Sequence, residues 1–372
     1  MENRRLLLTA ILVFAVLADA LAQSPYINKV YEYRPAPGQF VNKMPLYEEG
    51  DTEEMMAAKA TEAIANDNQE VISLGGFGGY VVFGFDHSVV NVPGAYDFQI
   101  DGNAFYSTSN PGSSGALGGS SEPGIVMVSR DVNGNGLPDD PWYELAGSEY
   151  YKPTTRHNYS LTYQRPAPDH VPTPQGKTYA DTTHVHWTSS EGEEGYIMQN
   201  VFNLQNYYPN WIGEDEMTFS GTCLPGNAVD ESGKGTYYVL YCYPWGYADN
   251  HPNGTTMSQF NIDWTVDAEG NSVFLSRIDF VKVYTGINQQ AGRLGETSTE
   301  VSGACDLHPE ATTDREDGIR ELDYWTIGQS DNREFVKSSN CQIYGLSGQI
   351  LNPQSSIKKG LYISNGRKFI VQ

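Results

Sequence analysis

The chain has 372 residues, with 46 acidic side chains against 23 basic ones and a formal charge of −23. Charge of that sign repels phosphate backbones and anionic lipid, so nucleic acid and membrane surfaces are not expected partners. The length suffices for one large or two ordinary domains.

At the N-terminus, Arg4 and Arg5 precede an apolar run over residues 6–17, and Ala20-Leu21-Ala22 makes a small-x-small cleavage site. This pattern reads as a secretory signal peptide over residues 1–22, because the apolar run is too short to span a bilayer. No cysteine follows the expected cleavage point and no other run is apolar enough for a transmembrane helix. The expected location is therefore outside the cell, either at the surface and outer membrane or extracellular.

Residues 23–70 read as a lead-in followed by a helix. Tyr31, Tyr33, Pro35 and Pro37 mark an irregular stretch, and Asp51 with Glu54 resembles a capping box ahead of a helix over residues 55–64. Residues 71–325 change to strands. Runs at 71–74, 80–85, 96–100, 124–129, 184–187, 216–219, 236–241 and 278–284 are rich in β-branched and aromatic residues and separated by turn formers. Many short strands predict an all-β fold, a β-sandwich or jelly roll with one short N-terminal helix. The absence of a 20–50-residue repeat argues against a propeller or solenoid. Residues 150–178 are rich in Pro, Thr and Tyr and read as a long insertion. Residues 333–372 reverse the charge, with six basic residues against Glu334 alone, and carry strand-like runs turning at Asn365-Gly366. They read as a small C-terminal β module.

Four cysteines, Cys223, Cys242, Cys305 and Cys341, lack the spacing of a zinc site. Export permits up to two disulfides, with Cys223–Cys242 the preferred pair across a hairpin.

The segment "DVNGNGLPDD" places Asp131, Asn133 and Asn135 at positions 1, 3 and 5 of a calcium-type loop. Gly136 stands at 6, Leu137 at 7 and Asp139 at 9. Alternate oxygens converge in such loops, and the glycine allows the sharp turn. Position 12 is Trp142, so the remaining carboxylate is expected from Asp140 or Glu144, or from another strand, as at Glu122. A structural Ca2+ ion is the expected cofactor; the plainer alternative is two Asn-Gly turns. The glycines of "LGGFGGYVVFGF" open a strand and not a helix, so close backbone approach is expected rather than a phosphate cradle. His184 and His186 share one strand face without a third ligand nearby, and Asp86-His87 suggests an acid–base pair. No nucleophile or zinc-protease motif accompanies them, so no catalytic residue is expected. Rings bunch at Tyr207, Tyr208, Trp211, Tyr243, Trp245 and Tyr247 beside Asp249. They suit a sugar or a large flat ligand at the surface, or else a core.

The segments "SLGGFGGYVVFGFDHSVVNVPGAYDFQIDGNAF", "SSEPGIVMVSRDVNGNGLPDDPWYELAGSEY", "GTYYVLYCYPWGYADNHPNG" and "IDFVKVYTGINQQAGRLGETSTEVSGACDLH" resemble a family of Bacteroidetes cell-surface proteins of the PKD type. Genes of that family often lie beside outer-membrane vitamin B12 uptake systems. The pattern around "EPGIVMVS" is also similar to galactose-binding-like jelly rolls. The tail "CQIYGLSGQIL…IKKGLYISNGRKFIVQ" resembles a type IX secretion sorting domain. The resemblance implies a non-catalytic surface protein that binds a cobalamin-like corrinoid or another nutrient and works with an outer-membrane uptake complex. A glycan-binding module or glycan-active enzyme is the alternative.

Overall fold

The computed structural model describes residues 23–107 and 116–319, and the backbone of short strands within 343–371. The expected signal in residues 1–22, Cys341 and the turn at Asn365-Gly366 lie outside the described residues.

The described chain is mostly strand with one α-helix, as its β-branched and aromatic runs require. The largest sheet is antiparallel throughout. Its six strands run in the order Lys29–Arg34, Tyr80–Val90, Arg277–Thr285, Gly124–Ser129, Trp142–Leu145 and Thr265–Val266. Val81, Phe83, Val126, Val281 and Val283 alternate onto one face and are almost wholly buried. Each such side chain contributes on the order of 1.5–3 kcal/mol. A second sheet orders Glu194–Asn200, Tyr179–Ser189, Arg156–Gln164 and Glu216–Cys223. Residues 156–164 therefore form a nine-residue strand inside the stretch expected to be an insertion. Tyr159, Leu161 and Tyr163 alternate into the core there. A four-stranded sheet (Ala228–Asp230, Tyr238–Tyr241, Gly118–Ser120, Phe105–Tyr106) and a three-stranded one (Gln259–Phe260, Phe98–Asp101, Gly303–Asp306) complete the larger sheets of the body.

This grouping is propeller-like and not clearly the two facing sheets of a jelly roll. The sheets differ in strand number, which explains why no sequence repeat announces them. In the tail, strands Ile350–Leu351, Ile343–Gly345, Gly360–Ser364 and Arg367–Val371 form an antiparallel sheet of their own. Ser364 pairs with Arg367.

The helix is Glu53–Ile64, and its cap is Thr52, whose hydroxyl accepts from the Met55 N–H. Asp51, the expected cap, instead accepts from the Glu48 N–H and from Lys59 Nζ. Glycines 75 and 79 act as expected. A Cβ on Gly79 would lie 2.0 Å from the Leu74 carbonyl oxygen and 2.1 Å from Ala36 N. Gly75 has φ +69 and would put a Cβ 1.9 Å from the Ala36 carbonyl oxygen. Backbone meets backbone at both positions, which only glycine allows.

Cys223, Cys242 and Cys305 are free thiols, so the preferred Cys223–Cys242 bridge is not formed. The two runs expected to make one hairpin lie in different sheets. The strand ending at Cys223 pairs with Arg156–Gln164, whereas Tyr238–Tyr241 pairs with Ala228–Asp230 and Gly118–Ser120. Among the described residues, no helix is long and apolar enough to cross a membrane.

Candidate functional site

The segment 131–140 leaves the strand Gly124–Ser129 and folds back on its own side chains. Asp131 Oδ1 accepts from the N–H groups of Gly134 (2.6 Å) and Asn135 (3.1 Å), and its Oδ2 accepts from that of Gly136 (2.8 Å). Asn133 Oδ1 accepts from the Asn135 N–H and Asn135 Oδ1 from the Leu137 N–H. Both Asn amides donate to the Asp139 carboxylate, and Asp140 accepts from the Val132 N–H. Gly134 and Gly136 both take φ +72, so the two-turn alternative is also true of this segment. Asp131 Oδ1 and Asp139 Oδ1 each accept two of these bonds, whereas Asp131 Oδ2 and the two Asn Oδ1 atoms accept one each, and the donor chemistry fits a hard cation such as Ca2+.

Glu144 does not belong to that set. Its Oε2 lies 2.6 Å from Thr222 Oγ1 on a neighbouring sheet, and burial pushes its carboxyl up to about 7. Strand alternation inside Trp142–Leu145 carries it away from the loop.

The aromatic runs mostly fill the interior. Tyr207, Tyr208, Trp211 and Tyr247 are buried. Trp211 stacks between Tyr33 and Tyr47, and the Tyr207 hydroxyl accepts from the Asn200 N–H. The Tyr208 hydroxyl donates to the Glu214 carbonyl, and that of Tyr247 accepts from the Glu149 N–H. Tyr243 bonds the Pro225 carbonyl, which leaves Trp245, 37% exposed, as the ring of this set nearest to a surface role. Of the two alternatives, core packing describes Tyr207, Tyr208, Trp211 and Tyr247, since large rings bury more apolar area there.

Asp249 is buried as well. Its Oδ1 accepts from the Asn103 and Ala104 N–H groups and its Oδ2 from that of Glu300. It converges with Glu122 and Glu300, a trio that sequence spacing could not reveal. Burial raises all three carboxyls, Glu122 to about 7, and mutual repulsion adds to the rise in Asp249 and Glu300. At neutral pH such a cluster shares protons rather than carrying three charges.

A second cluster joins His170, Asp181 and His184. His170 Nε2 lies 2.6 Å and His184 Nδ1 3.3 Å from Asp181 Oδ2. Burial alone would raise the Asp181 carboxyl. Bonds from the Thr173 and Thr183 N–H groups, His170 and the Thr183 hydroxyl outweigh it and hold the group well below the usual range. The Tyr207 N–H donates to His184 Nε2 at 3.4 Å, so that nitrogen carries no proton and Nδ1 does. The three side chains form a hydrogen-bonded cluster, and their converging ligand atoms could also hold a metal ion. His186 faces Gln164 and Glu194 instead. His87 bridges Asp86 (2.6 Å) and Asp306 (2.8 Å) with its two ring nitrogens, a fixed structural link.

A large cleft, of about 820 Å³, begins where the 131–140 loop leaves and rejoins its strands, at Arg130, Val132, Pro141 and Tyr143. Its other walls include Phe274, Arg277 and Arg315, with the Arg315 guanidinium 4.9 Å over the Phe274 ring. Arg130 is paired with Asp317, and its Nε is buried without a hydrogen-bond partner. A smaller cleft, of about 400 Å³, lies at the edge of the second sheet, between Trp187 and residues 287–297.

No protein-family model matches the chain, and no curated protein is significantly similar to it.

Proposed function

We propose that this chain is an exported, non-catalytic ligand-binding protein of the cell surface, stabilised by calcium in the 131–140 loop. The observation that carries the reading is the position of the larger cleft, whose wall is built from the two ends of that loop. An ion that fixes the loop would also fix Pro141 and Tyr143, and with them the shape of the cleft. About 820 Å³ lies within the range of roughly 300–1,000 Å³ typical of ligand pockets. The aromatic faces of Tyr143 and Phe274, with guanidinium and carboxylate groups around them, suit a large flat molecule bearing amide groups, such as a cobalamin-type corrinoid. Delivery of that nutrient to an outer-membrane uptake complex belongs to the same proposal. So do a sorting role for residues 333–372 and kinship with galactose-binding-like jelly rolls.

Titrating the purified protein with cyanocobalamin by calorimetry tests the reading. Saturable heat that weakens in Arg277→Ala and Tyr143→Ala is expected. No heat and no shift of the visible corrinoid band would remove the corrinoid. Glycan binding, the second reading, is favoured by the smaller cleft.

A further inference from the structure

The smaller cleft shares no lining residue with the larger one, so a ligand held there is independent of the corrinoid reading. One wall is the inner face of the second sheet, where Tyr163, Trp187 and Ile197 meet Phe77 of the glycine turn. Trp187 pairs with Gly195 across the hairpin, and a Cβ on Gly195 would lie 2.5 Å from the indole. Glycine there is what lets the ring settle flat against the neighbouring strand. The opposite wall is polar and comes from Asn288, Gln289, Gln290, Glu296 and Thr297.

One atom of this wall, Glu296 Oε2, is a buried side-chain oxygen without a hydrogen-bond partner. The neighbouring Gln290 side chain accepts from the Met198 N–H and bonds the Tyr179 side chain. Glu296 is only 4% exposed, and its other oxygen accepts from the Gln39 N–H at 2.6 Å. Unsatisfied buried polar groups are rare enough that each calls for a physical reason. We propose that this cleft binds one ring of a neutral, hydroxyl-bearing sugar, stacked on Trp187 and hydrogen-bonded to Glu296.

Size agrees, since about 400 Å³ is at the small end of ligand pockets. Polarity agrees too. A hydroxyl both donates and accepts, so it satisfies the carboxyl in either protonation state, whereas an ammonium group needs a carboxylate. Burial pushes the Glu296 carboxyl up to about 8, which favours the neutral acid at pH 7. The rim selects against anions. Arg156 lies 3.9 Å over the Tyr159 ring and is already bonded to Glu191 and Glu193, with Glu194 adding a further carboxylate. A phosphorylated sugar would meet net negative charge there.

The test is saturation-transfer NMR and titration of the full chain with glucose, galactose, mannose, fucose and N-acetylglucosamine, with galactose 6-phosphate as the anionic control. At least one neutral sugar should saturate the protein and the phosphate ester should bind more weakly. Trp187→Ala should weaken binding about tenfold, the weight of one stacked ring. Trp187→Phe should retain most of it. Gly195→Ala, which keeps the indole but displaces it, should also weaken binding, so the test does not depend on Trp187→Ala folding. Binding by none of the five sugars, equal binding of the phosphate ester, or unchanged affinity in both Trp187→Ala and Gly195→Ala would overturn the assignment.

Discussion

Glu144 offers a quantitative test of how this acidic protein tolerates buried carboxyls. Burial pushes its carboxyl up to about 7, with Thr222 as its hydrogen-bonding neighbour. In the unfolded chain a glutamate titrates near 4.3. A folded value above the unfolded one means that the folded state keeps a proton the unfolded state has released. Stability from this group is therefore full below about pH 4 and is lost as pH rises toward 7. The gap of roughly 2.7 pH units, at about 1.4 kcal/mol per unit, caps the loss at just under about 4 kcal/mol. Glu144→Gln has nearly the shape of the protonated acid and cannot ionise. Denaturant unfolding at pH 5 and pH 8 should find the variant within about 1 kcal/mol of the parent at the lower pH. At the higher pH it should be more stable by about 2–3 kcal/mol. A stability difference that is the same at both pH values would refute the reasoning. Glu144→Gln should also leave any calcium response intact, because its carboxylate faces Thr222 and not the loop.

Chelation should lower the melting temperature of the parent, and Asp131→Ala should abolish that sensitivity; identical melting curves with and without chelator would remove the ion. Tyr284→Phe strands the buried Thr222 N–H that now donates to the Tyr284 hydroxyl at 2.8 Å, and should cost about 1–3 kcal/mol by denaturant unfolding. Gly79→Ala drives a Cβ to 2.0 Å from the Leu74 carbonyl oxygen and should cost more than about 3 kcal/mol, seen as a large drop in melting temperature or as loss of folded protein.

Local signals are legible in the sequence and distant ones are not. The runs at 80–85 and 278–284 lie within neighbouring antiparallel strands, because β-branched alternation marks a buried sheet whatever its partner. The strand Arg156–Gln164 carries the same alternation in Tyr159, Leu161 and Tyr163, but Pro and Thr on either side obscure it. Pairing across sheets has no local signal. Cys223 and Cys242 sit on or beside runs that look like one hairpin and are separated by strand pairing. His184 gains His170, 14 residues away in sequence, through the shared Asp181. The aromatic runs are ambiguous in composition alone, since a ring that would stack on a ligand also packs well in a core; Trp187, which lines the smaller cleft, stands outside them.

If calcium in the 131–140 loop holds a ligand-binding cleft in shape, ligand affinity must follow calcium occupancy. The affinity of the full chain for cyanocobalamin by calorimetry, first with excess calcium and then with chelator, tests this. Binding should be saturable, should weaken markedly when calcium is withdrawn, and should no longer depend on calcium in Asp131→Ala. Absence of binding in both conditions, or an affinity indifferent to chelator in the parent protein, would contradict it.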